Sequence, residues 1–292
     1  MAQEMNEAAE AICLQGSHAV PVRLRNLGAD TANKPGAHSD AAQAASLSKV
    51  PEVVFGFWVI KIAATTLGET GGDALSMSLH VGYAMSTMIF FVLFAACVTA
   101  QIRSRAFHPF LYWAVIVATT LTGTTMADFA DRSLGIGYPG GSSILFALVI
   151  AVLVAWRLTM GSVSVTFITE PKVEAFYWAT ILFSNTLGTA LGDWVADSGP
   201  GYEGGALIFA GGIAIIAALY FFTKTSRTML YWSAFILTRP LGATLGDLLT
   251  KPVASGGLNL SRYTSSATIA CFMIICILLF KQRAGDHPGV KE

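Results

Sequence analysis

Four tryptophans in this chain are each followed fifteen residues later by an aspartate, with a glycine five residues before that aspartate and apolar residues around both. The pairs are Trp58/Asp73, Trp113/Asp128, Trp178/Asp193 and Trp232/Asp247, in the segments WVIKIAATTLGETGGD, WAVIVATTLTGTTMAD, WATILFSNTLGTALGD and WSAFILTRPLGATLGD. A carboxylate in hydrocarbon is costly and is kept where it does something. Four of them at one repeated position imply a single site assembled from four structural repeats.

The surroundings are those of a membrane. The chain is 54% hydrophobic and 12% charged, against about 25% charged in an average soluble domain. A helix needs roughly 17 to 25 apolar residues to cross the hydrocarbon layer. Eight segments qualify: Val53 to Ser76, Val81 to Gln101, Pro109 to Ala127, Ser143 to Met160, Ala175 to Trp194, Gly205 to Phe222, Met229 to Leu249 and Tyr263 to Phe280. Odd spans carry the Trp-to-Asp motif and even spans lack acidic residues, so each repeat is a two-helix unit. The expected fold is an all-α integral membrane bundle of eight transmembrane helices. Net charge is zero and no basic patch forms, which argues against nucleic acid as a partner.

The intervals between Trp58, Trp113, Trp178 and Trp232 are 55, 65 and 54 residues, a short, long, short pattern that predicts two pseudo-symmetric halves of four helices. An even number of spans per half preserves direction, so the halves are related by an axis along the membrane normal. The membrane domain is expected over 49–283, with repeats at about 49–106, 107–170, 171–225 and 226–283. Residues 1–48 lack a long apolar run and read as a disordered cytoplasmic tail, and 284–292 as a short C-terminal tail. Lys49, Arg103, Arg105, Lys172, Lys224, Arg227, Lys281 and Arg283 cluster at the termini and after even spans, while Arg132, Lys251 and Arg262 are the basic residues of the opposite side. The positive-inside bias then puts both termini in the cytoplasm and the tryptophans at the cytoplasmic interface. Fifteen residues of helix carry each aspartate about 22 Å further, toward the outer end.

Aligned on tryptophan, Gly68, Gly123, Gly188 and Gly242 occupy one position. They serve either close helix packing or a helix break whose freed carbonyls face a cavity, and Pro240 favours a break in the fourth repeat. Polar residues crowd the same stretch, among them Thr66, Thr70, Thr120, Thr124, Asn185, Thr189 and Thr244. Any one threonine bonds back to its own helix readily, but so many beside four aspartates point to a polar lumen. The aspartates themselves are either site residues or ordinary solvated groups at helix ends. The first repeat adds Lys61 and Glu69 and the fourth adds Arg239, giving five negative charges (Asp73, Asp128, Asp193, Asp247, Glu69) against two positive. Like charges in a low-dielectric site do not all stay ionised unless a cation joins them, which couples protonation to cation binding. Carboxylate, hydroxyl and carbonyl oxygens suit hard cations such as Mg²⁺, Mn²⁺, Ca²⁺ or Na⁺.

The opening K-V-P-E-V (Lys49 to Val53) and F-W-x-I-K-I-x-A-T-T-L-G-E-T-G-G-D (Phe57 to Asp73) resemble the bacterial membrane-protein family classed as a repeat of unknown function, domain of unknown function 347. The resemblance covers about Val50 to Phe280; the second repeat departs from it where Met126-Ala127 replaces the Gly-rich step. It implies a four-repeat integral-membrane architecture and no particular activity.

The charges predict a proton-coupled transporter of a small cation in the bacterial inner membrane. Asp73, Asp128, Asp193 and Asp247 are the candidate metal ligands and, with Glu69, the candidate proton-binding groups; Lys61 and Arg239 are internal counterions. No cofactor and no catalytic residue is expected; the partners are the lipid bilayer and the cation or protons, and the chain is compatible with a homo-oligomer. The alternatives are an intramembrane enzyme or lipid-handling protein using Glu69 and Asp73 as acid and base, or a membrane scaffold or sensor.

Overall fold

A computed structural model of the chain describes residues 49–104, 106–161, 163 and 171–284. The expected tail at 1–48 lies outside the described residues, as do 285–292 of the expected tail at 284–292 and most of the longer connection between the second and third repeats. Eight long helices run in order: α1 Phe55–Asp73, α2 Tyr83–Arg103, α3 Pro109–Asp128, α4 Gly137–Met160, α5 Pro171–Asp197, α6 Gly201–Phe222, α7 Arg227–Thr250 and α8 Arg262–Leu279. Among the described residues the sole β pairing is an isolated bridge between Pro51 and Ala284.

Local chemistry sets several ends. Pro109 opens α3, where its missing N–H is no loss. The Ser226 hydroxyl caps α7 by accepting from the Met229 N–H. Gly161, at φ 75°, ends α4 in the left-handed conformation. After Asp73 and Asp128 the helices do not stop but widen into one π turn, Ala74–Ser78 and Phe129–Ser133. The equivalent placement of these two turns is itself a mark of the repeat.

Five helices, α2, α4, α6, α8 and α3 with its π turn, are long and apolar enough to cross a membrane on composition alone. The other three, α1, α5 and α7, carry the charged residues of the motif apart from Asp128 of α3, and all of these groups are buried among the helices. The chain is an all-α membrane protein whose even helices present apolar side chains such as Val92, Leu207 and Leu278 outward.

The odd helices form a closed ring: α1 packs on α3, α3 on α5, α5 on α7, and α7 back on α1. Each even helix lies outside the ring and packs chiefly on the odd helix of the following repeat: α2 on α3, α4 on α5, α6 on α7, and α8 on α1. Every repeat thus embraces its successor, and the fourth embraces the first.

The glycines make this closeness possible. A Cβ at Gly68 would lie on Thr120 and 3.0 Å from its backbone carbon, and one at Gly123 would lie 3.1 Å from the Thr186 nitrogen. At Gly188 it would meet the Arg239 Cγ at 2.6 Å, and at Gly242 it would lie on Thr65. Each motif glycine therefore seats the next helix at the same height around the ring. The helices run unbroken through all four glycines, and α7 continues through Pro240. Of the two readings of these glycines the structure has the close packing: small residues here admit a neighbouring backbone, and no freed carbonyl turn forms at them, at Pro240 included.

Candidate functional site

One stripe of each odd helix faces the ring interior, and it recurs at four-residue steps, which keep side chains on one helix face. In α1 it is Phe57, Lys61, Thr65, Glu69 and Asp73; in α3, Tyr112, Ile116, Thr120, Thr124 and Asp128. In α5 it is Tyr177, Ile181, Asn185, Thr189 and Asp193; in α7, Tyr231, Phe235, Arg239, Ala243 and Asp247. All of these side chains are buried. Stacked by height, they give an aromatic layer at one end, an apolar layer interrupted by Lys61, two polar layers, and four aspartates at the other end.

The aromatic end is interlocked around the ring. Phe57 lies 5.5 Å from Trp113, Tyr112 lies 5.9 Å from Trp178, and Tyr231 lies 5.8 Å from Trp58, centroid to centroid. Trp113 and Trp178 are 1% and 2% exposed. For these two the expectation of indoles at the cytoplasmic interface is corrected, since they are packed between adjacent repeats, while Trp58 and Trp232 are half-buried. The flanking segments close over this end, where Lys49 pairs with Glu174 at 2.8 Å, the Glu52 N–H donates to the Arg283 carbonyl and the Trp113 indole N–H donates to Gln282 at 2.8 Å.

In the middle layers the polar groups sort into two kinds. Thr66, Thr189 and Thr244 donate back to their own helices, to the carbonyls of Ile62, Asn185 and Pro240. Thr70 faces α8, accepting from Ser266 at 2.8 Å. Across the ring, Thr65 donates to the Thr238 carbonyl at 3.1 Å, Thr120 to the Ala64 carbonyl at 3.2 Å, and the Asn185 amide to Thr119 at 2.9 Å. Arg239 goes furthest. From α7 its guanidinium donates to the Thr65 carbonyl at 3.3 Å on α1 and to Thr124 at 2.7 Å on α3, and it stands 3.6 Å from Glu69. Thr124 in turn donates to Glu69 at 3.1 Å, so the axis of the ring is filled by Arg239 and Glu69. Lys61, 0% exposed, rests its ammonium 4.1 Å above the Phe235 ring and has no hydrogen-bond partner.

The aspartate end is buried and not an ordinary solvated helix terminus: Asp73 is 0%, Asp247 2%, Asp128 3% and Asp193 4% exposed. The four do not form one group. The Lys251 ammonium lies 2.8 Å from Asp73 and 3.0 Å from Asp247, joining repeats four and one. The Arg132 guanidinium lies 2.8 Å from Asp128 and 3.5 Å from Asp193, joining repeats two and three. Arg262 adds a contact of 3.5 Å to Asp73. The two-positive charge count is corrected accordingly, because Arg132, Lys251 and Arg262 fold over the acidic end and, with Arg239, set four basic groups against the five carboxylates.

Sequence reasoning missed Arg132 and Lys251 as site residues although a signal was present. Each sits four residues after its aspartate, one helical turn on, and they occur in alternate repeats. That alternation imposes a twofold pattern on a fourfold ring. The halves then diverge at the Glu69 height, where the other repeats have Thr124, Thr189 and Ala243. Glu69, Asp73 and Asp247 each offer an oxygen within 4.8 Å of the others, a spacing that fits a hard cation with oxygen ligands at about 2.0 to 2.6 Å. Asp128 and Asp193 are not in that group.

No curated protein and no solved structure matches the chain. One family model matches it four times, over residues 56–107, 111–162, 176–226 and 230–284, so that each match spans one odd helix and the even helix after it. On that match, which takes in most of the membrane domain, the chain belongs to the family of the Repeat of Unknown Function (DUF347).

Proposed function

We propose that the protein is a carrier of a small hard cation coupled to protons, acting in the bacterial cytoplasmic membrane with both termini inside. The observation that supports this most is the convergence of Glu69, Asp73 and Asp247, buried among helices with their oxygens within 4.8 Å of one another and with Asp73 Oδ1 lacking any hydrogen-bond partner. A spare carboxylate oxygen in a desolvated site is a ligand in waiting, and carboxylates accept either a proton or a metal ion. The interlocked aromatic layer closes one end of the ring and the Lys251 and Arg132 bridges close the other, as an occluded carrier requires. Basic residues Lys49, Arg103, Lys224, Lys281 and Arg283 at the aromatic end favour that end as the cytoplasmic one.

The pairing of Asp128 and Asp193 through Arg132 favours a second reading for that half of the ring, a fixed structural bridge. Flux into proteoliposomes tests the carrier reading. A carrier moves at least one of Mn²⁺, Mg²⁺, Ca²⁺ or Na⁺ faster than protein-free vesicles, moves protons in the opposite direction, and loses both with Asp73→Asn. If no ion moves, the carrier reading is wrong and the scaffold reading stands.

A further inference from the structure

Resting on the carrier reading, we infer that Lys251 is a tethered stand-in for the transported ion: its ammonium fills the Glu69–Asp73–Asp247 site between loaded states, and the ion that displaces it is divalent. The ammonium sits between Asp73 and Asp247 at 2.8 and 3.0 Å, with the side chain 7% exposed. It occupies the position that a cation shared by those two carboxylates would take. Asp73 Oδ1 has no hydrogen-bond partner, so the site holds one ligand more than the lysine uses.

The main chain at Lys251 is fixed, and only the side chain enters the site. Its N–H donates to the Asp247 carbonyl at 2.8 Å and its carbonyl accepts from the Asn259 N–H at 2.9 Å. Lys251 lies one residue beyond the end of α7, on a flexible four-carbon stem, so the exchange we infer is a movement of this side chain and not of a helix. The other half of the ring is a built-in contrast. There the bridge is Arg132, a rigid planar fork, and among the described residues Asp128 and Asp193 belong to no three-carboxylate group like that of Glu69, Asp73 and Asp247. A lysine ammonium is a compact point charge on a flexible stem and exchanges readily with an ion, whereas a guanidinium fork is shaped for its carboxylates and stays.

The tether selects the charge of the ion. A group on a short flexible link acts at an effective concentration on the order of millimolar or above. A monovalent ion offers the same oxygens the same single charge and competes poorly with it. A divalent ion brings twice the charge and recruits Glu69 and the free Asp73 oxygen as well. Between loads the ammonium returns, so the carboxylates are never left bare in a buried site.

The experiment is thermal unfolding of the purified full chain in detergent, titrated with Mn²⁺, Mg²⁺ or Na⁺. In the unmodified protein a divalent ion is expected to raise the melting temperature and Na⁺ to do so only weakly. Lys251→Met should lower the half-saturating Mn²⁺ concentration by about tenfold or more and let Na⁺ stabilise, as removal of a tethered competitor requires. Arg132→Met should not raise Mn²⁺ affinity. An unchanged or weaker Mn²⁺ midpoint in Lys251→Met overturns the inference. If Lys251→Met fails to fold in divalent-free buffer, Lys251→Ala is purified with Mn²⁺ or with n-propylammonium: recovery by either supports the stand-in role, and recovery by neither overturns it. Absence of flux with the affinity change intact removes the carrier reading alone; flux with an unchanged Mn²⁺ midpoint removes the stand-in alone.

Discussion

Gly242 shows how much a single missing methyl group matters in this ring. A Cβ there would lie on the Thr65 side chain and 2.8 Å from the Thr65 backbone carbon, which cannot rotate away. Gly242→Ala is expected to force α1 and α7 apart and to cost about 1 to 3 kcal/mol, the usual range for overpacking. Gly211→Ala, on the outside of α6 where nothing lies within 4 Å of the new Cβ, should be neutral in the same unfolding assay. Lys61 carries the opposite prediction. Its ammonium is buried with only an aromatic face for company, and burying a polar group without a hydrogen bond costs about 1 to 3 kcal/mol in proteins. Lys61→Met keeps the stem and removes the amine, so it should raise stability by an amount of that order. If transport falls at the same time, the lysine is retained for function at the expense of stability; a variant less stable than the parent would show that the amine is satisfied after all. The position of such residues was legible in the sequence, since the Trp-to-Asp register places Lys61, Glu69 and Arg239 in the motif helices. Their partners were not, because Arg239 reaches past its neighbour α1 to Thr124 on α3, and no spacing along one helix encodes a contact across a ring.

At the scale of the helix, the two kinds of span differ in what they bury. The even helices are apolar nearly all round and largely exposed in the isolated chain, with Val92 on α2 68% and Leu278 on α8 67% exposed. Lipid is the solvent that suits such faces. Val92→Asp is expected to impair insertion of α2 by about 2.5 to 3.5 kcal/mol, the cost of aspartate near a helix centre, seen as loss of membrane-integrated protein after carbonate extraction; normal integration would mean that this face does not meet hydrocarbon. The odd helices read as poor spans when scored singly, since three of them fail a composition test that all the even ones pass. The sequence nonetheless marks them through repetition, and eight spans with these approximate boundaries follow from hydrophobic runs plus the motif. Where boundaries moved, the cause is local: α4 begins at Gly137 rather than near Ser143, and α3 runs on through its π turn to Ser133. That extension is why Arg132 belongs to the site. Treated as a loop residue it balances charge across the bilayer; as part of the helix, one turn beyond Asp128, it faces the carboxylates.

For the whole molecule, the exchange of even helices between neighbours decides how the chain holds together. The sequence divides naturally into two four-helix halves, but the structure does not leave either half self-contained. The α3–α5 and α7–α1 contacts of the ring cross between halves, and so do the outer contacts of α4 on α5 and α8 on α1. Each half alone would expose Gly-lined grooves on two odd helices and leave one peripheral helix without its seat. The acidic end divides the same way: Lys251 of the second half binds Asp73 of the first, and Arg132 of the first binds Asp193 of the second. A chain severed between Met160 and Pro171, where the longer connection joins the halves, should therefore reassemble when the two pieces are made together. An affinity tag on residues 1–163 is expected to retain residues 164–292 in equal amount through detergent purification. Asp73→Asn combined with Asp193→Asn should weaken that retention, because it strips the ion bridges of the acidic end from the interface while leaving the Lys49–Glu174 and Arg239–Glu69 pairs and the glycine packing in place. Independent migration of the unmodified pieces would mean that the halves are autonomous bundles and that the ring closure between α1 and α7 contributes little. Retention that survives the double substitution undiminished would instead assign the hold between halves to helix packing and the remaining Lys49–Glu174 and Arg239–Glu69 pairs, and free Asp73 and Asp193 from any structural duty in the ring.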